Sequence, residues 1–566
     1  MKTIKYGICL LISALTLGGC DDFLDEKPLD FYTPENSMVT TEHFQSSLNY
    51  LYNRVRRQVT EIDPDTKYAF YYATDFAHNS TDYYKPAKLN DYASTMVPTF
   101  IVPANVWNES FDVISNANVI LNRIVLTDQV NDENKAIITG EAKFFRAYAY
   151  RMLADLFGGV PLILEEITVP RRDYVRATRE EVYKQVKQDL EDAVASLSDI
   201  ETVKDGKVSK QLALHLLAET NISLGLYDEA IAAATNVINH PELRLMTDRY
   251  GSRQNEEGDV YWDLFRLNNQ NRSSGNKEAL WVFQYDYLNA GSSKDVNALP
   301  WALIPFYQNI MITAKDASGK EVSTTAFAGI TDGKGGRGIG WIQPTKHFFE
   351  KIWEKGSDND IRNSKYNIIR DVLVDNPDSP AAGKWFVADG YYKQADSIRQ
   401  WYPIITKFSR MNNFPEEFWL RDNNGNPLMT IFGEHLMSNN ANAPYKDQYM
   451  YRLAETYLLR AEAYILKGDK ASAAADINVI RNRAHAEPVE VGEVDINYLL
   501  DERLRELYGE ELRMQTLCRM GKLVERNRMY NPMTGKTIQD HHNLWPIPFS
   551  EIERNTEAVI EQNPGY

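Results

Sequence analysis

Cys20 is the residue whose type and position predict a definite chemistry. Lys2 and Lys5 precede an apolar run, Ile8–Leu17, and Gly18-Gly19-Cys20 follows it. An apolar run of this length is too short to span a bilayer and is typical of a signal peptide. Small residues directly before a cysteine resemble a lipobox, in which the thiol takes a diacylglycerol through a thioether, the chain is cleaved before the cysteine and the new amine is acylated. Several acyl chains would anchor the protein stably in a membrane.

The other two cysteines predict neither a disulfide nor a nucleophile. Cys9 would leave with the signal peptide and Cys20 would carry lipid, so only Cys518 remains, on a predicted helix. An exported chain with a single thiol must be held together by packing rather than by disulfides. No histidine lies nearby to activate it, so we expect Cys518 to be a small core residue.

Motifs for catalysis, cofactors and metals are weak or missing. A chain with 79 acidic residues always offers carboxylate pairs of the kind a glycoside hydrolase uses, so such pairs alone indicate nothing. Neither G-x-S-x-G nor H-E-x-x-H occurs. The G-x-G-x-x-G at 333–338 follows no clear strand and opens no helix, so we expect a loop that lets Trp341 face outward and no dinucleotide site. His541-His542 has no further ligand spaced to complete a metal site, and we expect neither metal nor cofactor.

Composition and charge narrow the class of protein. The 566 residues are 43% hydrophobic and 25% charged, as in soluble globular proteins. Lysines and arginines number 62 against 79 acids, a formal charge of −17. A nucleic-acid partner needs a basic face, so the charge argues against one. Tyrosines number 33 and tryptophans 10, an aromatic content high enough to suggest rings at a binding surface.

The stretch 208–241 predicts the element that positions the rest of the chain. Two amphipathic helices are separated by Gly225, which can take the left-handed conformation that often ends a helix. Asp228 and Glu229 suit the first turn of the second helix, and Pro241 stops it. Ala230 is small enough to let the two helices approach closely. The pattern resembles a tetratricopeptide repeat, a helix–turn–helix unit of ~34 residues.

Further copies indicate a superhelix, because one hairpin cannot bury its own apolar face. The clearest copy is 449–484, and weaker ones pair 134–156 with 179–197 and 497–508 with 510–526. The first two lie about 240 residues apart, so a long insertion must separate two halves of one superhelix. Helical patterns also run over 41–59 and 106–124.

The segment from about 243 to 448 differs from the helical repeats in composition. It holds eight of the ten tryptophans and is interrupted throughout by Asn, Gly and Pro, so we expect loops, short helices and a few short strands, one of them within 278–287. The predicted fold is therefore mainly α, a tetratricopeptide-like right-handed α-superhelix with a loop-rich insertion. The predicted divisions are a signal peptide 1–19, an N-terminal region 20–240, the insertion 241–448 and C-terminal helix pairs with a tail 449–566.

Several motifs carry a resemblance to a known family. The sequence over 141–162 is similar to the signature of SusD/RagB outer-membrane lipoproteins of Bacteroidetes, whose C-terminal region would span about 270–566. The matching residues there are Glu141, Phe145-Arg146-Ala147, Tyr150, Gly159 and Val160-Pro161-Leu162. Agreement continues at Arg452-Leu453-Ala454-Glu455, Arg460-Ala461-Glu462-Ala463, Glu502-Arg503, Glu506-Leu507, Arg513, Leu544-Trp545-Pro546-Ile547-Pro548 and Gln562-Asn563-Pro564-Gly565-Tyr566. Arg146, Arg452, Glu502, Arg503 and Arg513 are expected to pair within packed helices rather than to catalyse.

The resemblance implies a non-catalytic receptor. It would sit on the cell surface in the outer membrane, held by its lipid anchor, bind a nutrient glycan and deliver it to a SusC-like TonB-dependent transporter. Two alternatives stay open: the same architecture binding peptides, and a glycoside hydrolase. The aromatic density favours a glycan, because sugars offer C–H faces to rings and hydroxyls to polar groups.

Candidate ligand residues come from two irregular segments that the family combines into one binding face. The insertion would supply rings as a stacking surface, with a guanidinium beside them. The early segment, the polar and aromatic stretch 68–92, would supply acids and an amide as hydrogen-bond partners. For each tryptophan, burial in the core of the insertion is the alternative. The candidates are Trp301, Tyr307, Arg337 and Trp341 from the insertion and Asp75, Asn79 and Asp82 from the early segment.

Overall fold

The computed structural model describes residues 38–60, 64–80, 89–288, 299–392, 399–442 and 445–566. Over these ranges it is mainly helical. The helices are α1 Thr41–Thr60, α2 Pro64–Ala69, α3 Tyr92–Thr95, α4 Ile101–Ile124, α5 Asp132–Phe157, α6 Arg179–Ser196, α7 Lys210–Ser223, α8 Tyr227–Ile238, α9 Val260–Leu264, α10 Leu299–Leu303, α11 Lys346–Phe349, α12 Leu453–Lys467, α13 Lys470–Arg483, α14 Ile496–Leu507, α15 Arg513–Arg519, α16 Leu523–Tyr530 and α17 Phe549–Arg554. None of the helices in these ranges combines the length and apolarity that a membrane crossing needs.

The hairpin α7–α8 forms as the sequence predicts. The Ser209 hydroxyl accepts from the Leu212 N–H and caps α7, and Gly225 takes φ +75° in the turn. The apolar face of α8 is closed by the other copy, because Ala230 packs with Leu459 and Ala463 of α12. The two predicted copies are therefore direct neighbours in space.

Polar contacts fix the same junction between the two halves of the superhelix. The Arg460 guanidinium on α12 donates to the Thr235 hydroxyl on α8 at 2.9 Å and also pairs with Asp476 on α13 at 2.7 Å. Gly468 ends α12 at φ +89°, at the position equivalent to Gly225. The prediction that a long insertion separates two packed halves of one superhelix is confirmed.

The other predicted helix pairs are confirmed with one change. Helices α5 and α6 match the prediction closely, and α6 begins with a capping box between Thr178 and Glu181. The predicted helix over 510–526 is two helices, α15 and α16. Gly521 separates them at φ +63°, a left-handed conformation that breaks a helix. Cys518 is buried in α15, as expected for a core residue.

Short antiparallel strand pairs lie within the insertion and join it to β1 and to the start of α12. The strands are β1 Ala77–Asn79, β2 Ala279–Phe283, β3 Met311–Lys315, β4 Glu321–Thr325, β5 Ile330–Thr331, β6 Ile342–Pro344, β7 Ile368–Ile369, β8 Ile404–Ile405, β9 Leu436–Met437 and β10 Gln448–Arg452. They pair as β1–β6, β2–β10, β3–β4, β5–β9 and β7–β8. The strand predicted within 278–287 is β2; all five of its residues are buried, so the alternation marks no solvent face.

Small apolar clusters stabilise the insertion beside the main core. One contains Tyr307, Phe327, Phe386 and Trp401, and we call it the Tyr307 cluster. The other contains Ile330, Phe414, Phe418, Met437 and Ala441, and we call it the Phe414 cluster. The insertion is thus a set of loops held on local cores rather than an extension of the superhelix.

Candidate functional site

Two tryptophans of the insertion lie against each other at its surface. Trp301 is in α10 and Trp341 directly precedes β6; their ring centroids are 5.2 Å apart with the planes inclined at 47°. Both residues are partly exposed, although the indole nitrogen of each is buried. The guanidinium carbon of Arg337 lies 5.5 Å from the Trp301 ring centroid. The structure therefore brings three of the sequence-predicted ligand residues together, and we call Trp301 and Trp341 the ring pair.

The glycine loop holds this arrangement in place. The Ile339 N–H donates to the Trp301 carbonyl and the Gly340 N–H to the Ile304 carbonyl, both at 2.9 Å. A Cβ at Gly338 would lie 2.0 Å from the Pro305 carbonyl oxygen, so a side chain there would push the loop off α10. The glycines thus allow close backbone packing under Trp341. The element after the loop is strand β6 and no helix, so the dinucleotide geometry is missing.

The early segment reaches the ring pair through backbone pairing. Strand β1 pairs with β6 with Asn79 opposite Ile342, and the Ser80 N–H donates to the Trp341 carbonyl at 3.1 Å. The Tyr68 ring, which sequence reasoning did not single out, meets Trp341 edge-on at 6.0 Å. Its only sequence signal was the aromatic density of the segment that begins there. The two irregular segments therefore adjoin at Trp341.

Asp75 does not face a ligand, and its prediction as a hydrogen-bond partner is wrong. The side chain is fully buried and pairs with Arg513 and Arg526, each at 2.7 Å. These guanidiniums hold the pKa of Asp75 well below its ordinary value, although burial alone would raise it. The carboxylate neutralises two buried guanidiniums. It lies in the interior because its partners do.

Tyr307 and Asn79 are also buried, against the prediction. The Tyr307 hydroxyl donates to the Gly336 carbonyl at 2.9 Å and accepts from the Thr331 N–H at 3.0 Å, so it supports the glycine loop from beneath. Burial raises the pKa of this hydroxyl. Asn79 is 2% exposed within β1. Asp82 and Cys20 lie outside the described residues.

The ring pair and Arg337 together can bind an apolar face and a polar edge of one ligand. Partly exposed indoles offer flat surfaces at little cost in side-chain entropy. A guanidinium carries several N–H donors in a fixed plane and suits hydroxyl or carboxylate oxygens. In the described ranges no cluster of three or more His, Cys, Asp and Glu residues could hold a metal ion.

Comparison with protein-family models identifies the family. Residues 311–566 match the model described as SusD family, and residues 22–220 match the model described as starch-binding associating with outer membrane. The two matches together cover well over half of the chain. The chain belongs to the SusD/RagB family.

Curated relatives of this SusD/RagB chain match it either along almost its whole length or over a shorter stretch. SusD-like protein P25 of Formosa agariphila is 23% identical over 97% of this chain and 96% of its own. Starch-binding protein SusD of Bacteroides thetaiotaomicron is 36% identical over 132 residues, 23% of each chain. Membership of a family of binding proteins agrees with the weak catalytic motifs.

Solved structures of the SusD superfamily share the fold. A laminarin-binding SusD-like protein has a TM-score of 0.65 at 21% identity, covering 93% of this chain and 100% of its own. Surface glycan-binding protein A from Bacteroides thetaiotaomicron has a TM-score of 0.65 at 18% identity, with the same coverage. At these identities the likeness establishes the tetratricopeptide-like helical fold.

The charged residues within the SusD/RagB motifs are structural, as predicted. Arg146 pairs with Asp189 at 2.7 Å, and Arg503 pairs with Glu455 at 2.6 Å. Arg452 pairs with Glu506 at 2.6 Å. All of these side chains are largely buried, where an unpaired charge would be costly. These ion pairs hold the helices and the insertion together, so these residues are not candidates for binding a ligand. The ring pair is the candidate ligand site.

Proposed function

We propose that this protein is a cell-surface receptor that binds a nutrient glycan at the ring pair and delivers it to a SusC-like TonB-dependent transporter. The observation that carries the proposal is the partly exposed Trp301 and Trp341, 5.2 Å apart, with Arg337 beside them. Sugar rings present C–H faces that pack on indoles and hydroxyls that accept from a guanidinium. The family descriptions, which name starch binding and outer-membrane association, support the same ligand class and location.

A lipid anchor at Cys20 and exposure on the outer face of the membrane are parts of this proposal. The lipobox-like Leu17-Gly18-Gly19-Cys20 supports the anchor. A receptor tethered in this way could hold its ligand above the transporter. Capture then raises the local concentration of glycan at the pore, as tethering generally does for a second binding step.

Binding without turnover is the expected activity. A hydrolase needs two carboxylates at a fixed separation across one bond. Of the two acids predicted as ligand residues, Asp75 is committed to two arginines, and Asp82 lies outside the described residues. Incubation of the protein with any glycan it binds should release no new reducing ends, and release that disappears with one carboxylate variant would contradict the receptor proposal.

A glycan array on the purified, lipid-free protein tests the ligand class. Binding of one or more glycans is expected, and it should weaken in Trp301→Ala and Trp341→Ala. Peptides arrayed on the same surface serve as the competing class. Binding of peptides alone would contradict the glycan assignment while leaving the receptor architecture in place.

A further inference from the structure

A second open cleft lies in the insertion, away from the ring pair. Its volume is about 940 Å³, and none of the ring-pair residues or Arg337 lines it. Its walls come from α1, the chain leaving β2, the 410–417 loop and the chain entering β10. The lining residues that matter below are Arg56, Asn268, Tyr287, Arg410, Tyr445 and Asp447.

A buried lysine, Lys446, lies in the chain between two residues that line the cleft. The Lys446 ammonium donates to the Phe265 and Lys407 carbonyls, both at 2.7 Å, and is 5% exposed. Tyr445 and Asp447, on either side of Lys446 in the chain, both line the cleft.

Asp447 is held rigidly in turn. Its carboxylate accepts from the Tyr285 N–H at 2.7 Å and from the Asn271 amide at 2.5 Å. The Arg56 guanidinium lies 5.2 Å from the Tyr285 ring centroid, so a cation covers the neighbouring ring. Because these side chains are already fixed by their contacts, a ligand that binds them would lose little free energy in ordering them.

Non-glycine residues with a left-handed backbone conformation are concentrated around the cleft. Among the described residues, five that are not glycine have positive φ, and Asn268 at +67° and Tyr445 at +46° both line the cleft. A third, Asn412 at +53°, lies in the loop that carries Arg410. A bulky residue such as tyrosine rarely adopts this conformation. Strained residues gather at ligand sites, where the surrounding structure enforces them.

Two aromatic rings, Tyr287 and Tyr445, line the cleft and contact each other. Tyr287 meets Tyr445 edge-on at 4.8 Å, and Tyr445 stacks on Phe418 at 6.3 Å with the planes inclined at 14°. Tyr287 is partly exposed and Asn268 is exposed. Aromatic faces beside amides, guanidiniums and carboxylates are the groups that pack on and hydrogen-bond to a polyhydroxylated ring.

We propose that this cleft is a second saccharide site, independent of the ring pair, which takes a neutral oligosaccharide. The proposal rests on the glycan class of the proposed function. Two arginines, Arg56 and Arg410, line the cleft together with three acids, Asp286, Glu417 and Asp447. The opposite charges nearly balance with a small excess of acid, so a neutral ligand fits better than an anionic one.

The Phe414 cluster separates the two sites. The Arg337 N–H donates to the Ala441 carbonyl at 2.7 Å on the ring-pair side. Tyr287 and Tyr445 pack on the same cluster from the cleft side. No lining residue is shared, so each site can be changed by substitution while the other keeps its contacts.

Substitutions at Asn268 and Tyr287 test the cleft, and because Tyr287 packs on the Phe414 cluster its variants need a check of the fold. Asn268→Gly removes an exposed amide at a position where φ is positive, and glycine adopts that conformation freely. Tyr287→Ala removes a ring, and Tyr287→Phe is its matched control because it keeps the ring. Each is combined with Trp301→Ala/Trp341→Ala and is compared by melting temperature before binding is measured.

The probes are laminari-, malto-, xylo- and manno-oligosaccharides, screened on an array and titrated by calorimetry. The Trp301→Ala/Trp341→Ala protein should still bind at least one of them. Addition of Asn268→Gly or Tyr287→Ala should weaken this remaining binding by about fivefold or more, ~1 kcal/mol, whereas Tyr287→Phe should not.

Three results would overturn the proposal, and they are distinguishable. If the wild-type protein binds a probe and the ring-pair variant binds none, the cleft is not a saccharide site and the proposed function stands. If the ring-pair variant binds but Asn268→Gly and Tyr287→Ala leave its affinity unchanged, the remaining site lies elsewhere. If the wild-type protein binds none of the probes, the glycan assignment fails for both sites.

Discussion

Asp75 accepts two hydrogen bonds from the guanidinium of Arg513, which lies 438 residues further along the chain. The same carboxylate pairs with Arg526, so one acid in the early segment forms ion pairs with both α15 and α16. This relationship joins the segment before β1 to the C-terminal helices. It also holds in place the chain that pairs with β6 beside the ring pair.

Asp75→Asn should destabilise the protein strongly. The substitution keeps the shape but removes the buried anion that Arg513 and Arg526 share, and breaking a buried pair costs up to about 3–5 kcal/mol. Arg513 keeps its pair with Glu511, and Arg526 keeps its pair with Asp501. The free energy of unfolding, measured in urea, checks this. Asp173→Asn breaks the exposed pair with Arg171 and is the matched control, with an expected loss of at most about 1 kcal/mol. Equal losses in the two variants would contradict the structural role of Asp75.

His215 should make the fold sensitive to mild acid. Burial lowers the pKa of His215 from 6.5 to about 3, with Glu219 opposing the shift and Arg151 and Arg503 adding to it. The unfolded chain takes up this proton below about 6.5 and the folded chain does not, so stability present above that pH is lost as pH falls. Between pH 7 and 5 the loss from this group is about 2 kcal/mol.

The measurement is the free energy of unfolding as a function of pH for the wild type and His215→Gln. The variant forfeits the contact between His215 Nδ1 and the Thr456 hydroxyl at 2.9 Å, so its stability at neutral pH is lower. Its profile between pH 7 and 5 should nevertheless be flatter. Parallel profiles would mean that His215 is protonated in the folded protein.

Ala230→Leu and Ala473→Leu should each destabilise the superhelix. Ala230 packs on Leu459 and Ala463, and Ala473 is fully buried in α13. Extra methylene groups in a packed contact cost about 1–3 kcal/mol. Ala475→Leu, on the exposed side of α13, is the control and should melt as the wild type does. An unchanged Tm in both buried variants would argue against the close packing of the helix pairs.

Cys20→Ala should release the protein from membranes. The reason is that lipid attachment needs the thiol, and the described part of the chain has no helix suited to crossing a membrane. Fractionation combined with surface proteolysis of intact cells measures the result, in cells without the transporter so that capture by it cannot hold the variant. Retention in the membrane fraction through detergent-free washing would show a second anchor.

The helical hairpins could be predicted from sequence because their determinants are local. Apolar spacing and Gly225 specify α7 and α8 within about 30 residues, and the same signals recur at α12 and α13. Burial of single residues in the two irregular segments was not predictable in this way. Asp75 is buried because its partner Arg513 comes from the far end of the chain.

The tryptophans of the insertion show the same limit. Trp281 and Trp401 are 2% and 1% exposed, whereas Trp385 is 48% exposed, although each is followed directly by an apolar or aromatic residue. Which indole faces solvent depends on the strand pairs and small clusters that cover it. The cleft residues Tyr287 and Tyr445 carried no sequence signal, since they meet only when β2 pairs with β10.

The central claim is that the ring pair binds the ligand. Losing one stacking ring should cost about 1–3 kcal/mol, by analogy with base stacking, or roughly 5- to 150-fold in affinity. Trp385→Ala removes an exposed indole outside the pair and is the matched control, with no change in affinity expected.

Calorimetry on Trp301→Ala and Trp341→Ala, with the tightest glycan from the array, tests this claim most directly. The account predicts affinity weakened within that range, an unchanged Tm in each variant, and wild-type affinity for Trp385→Ala. A lowered Tm with wild-type affinity in the folded fraction would contradict it, because the two indoles would then be core residues and the ligand would bind elsewhere.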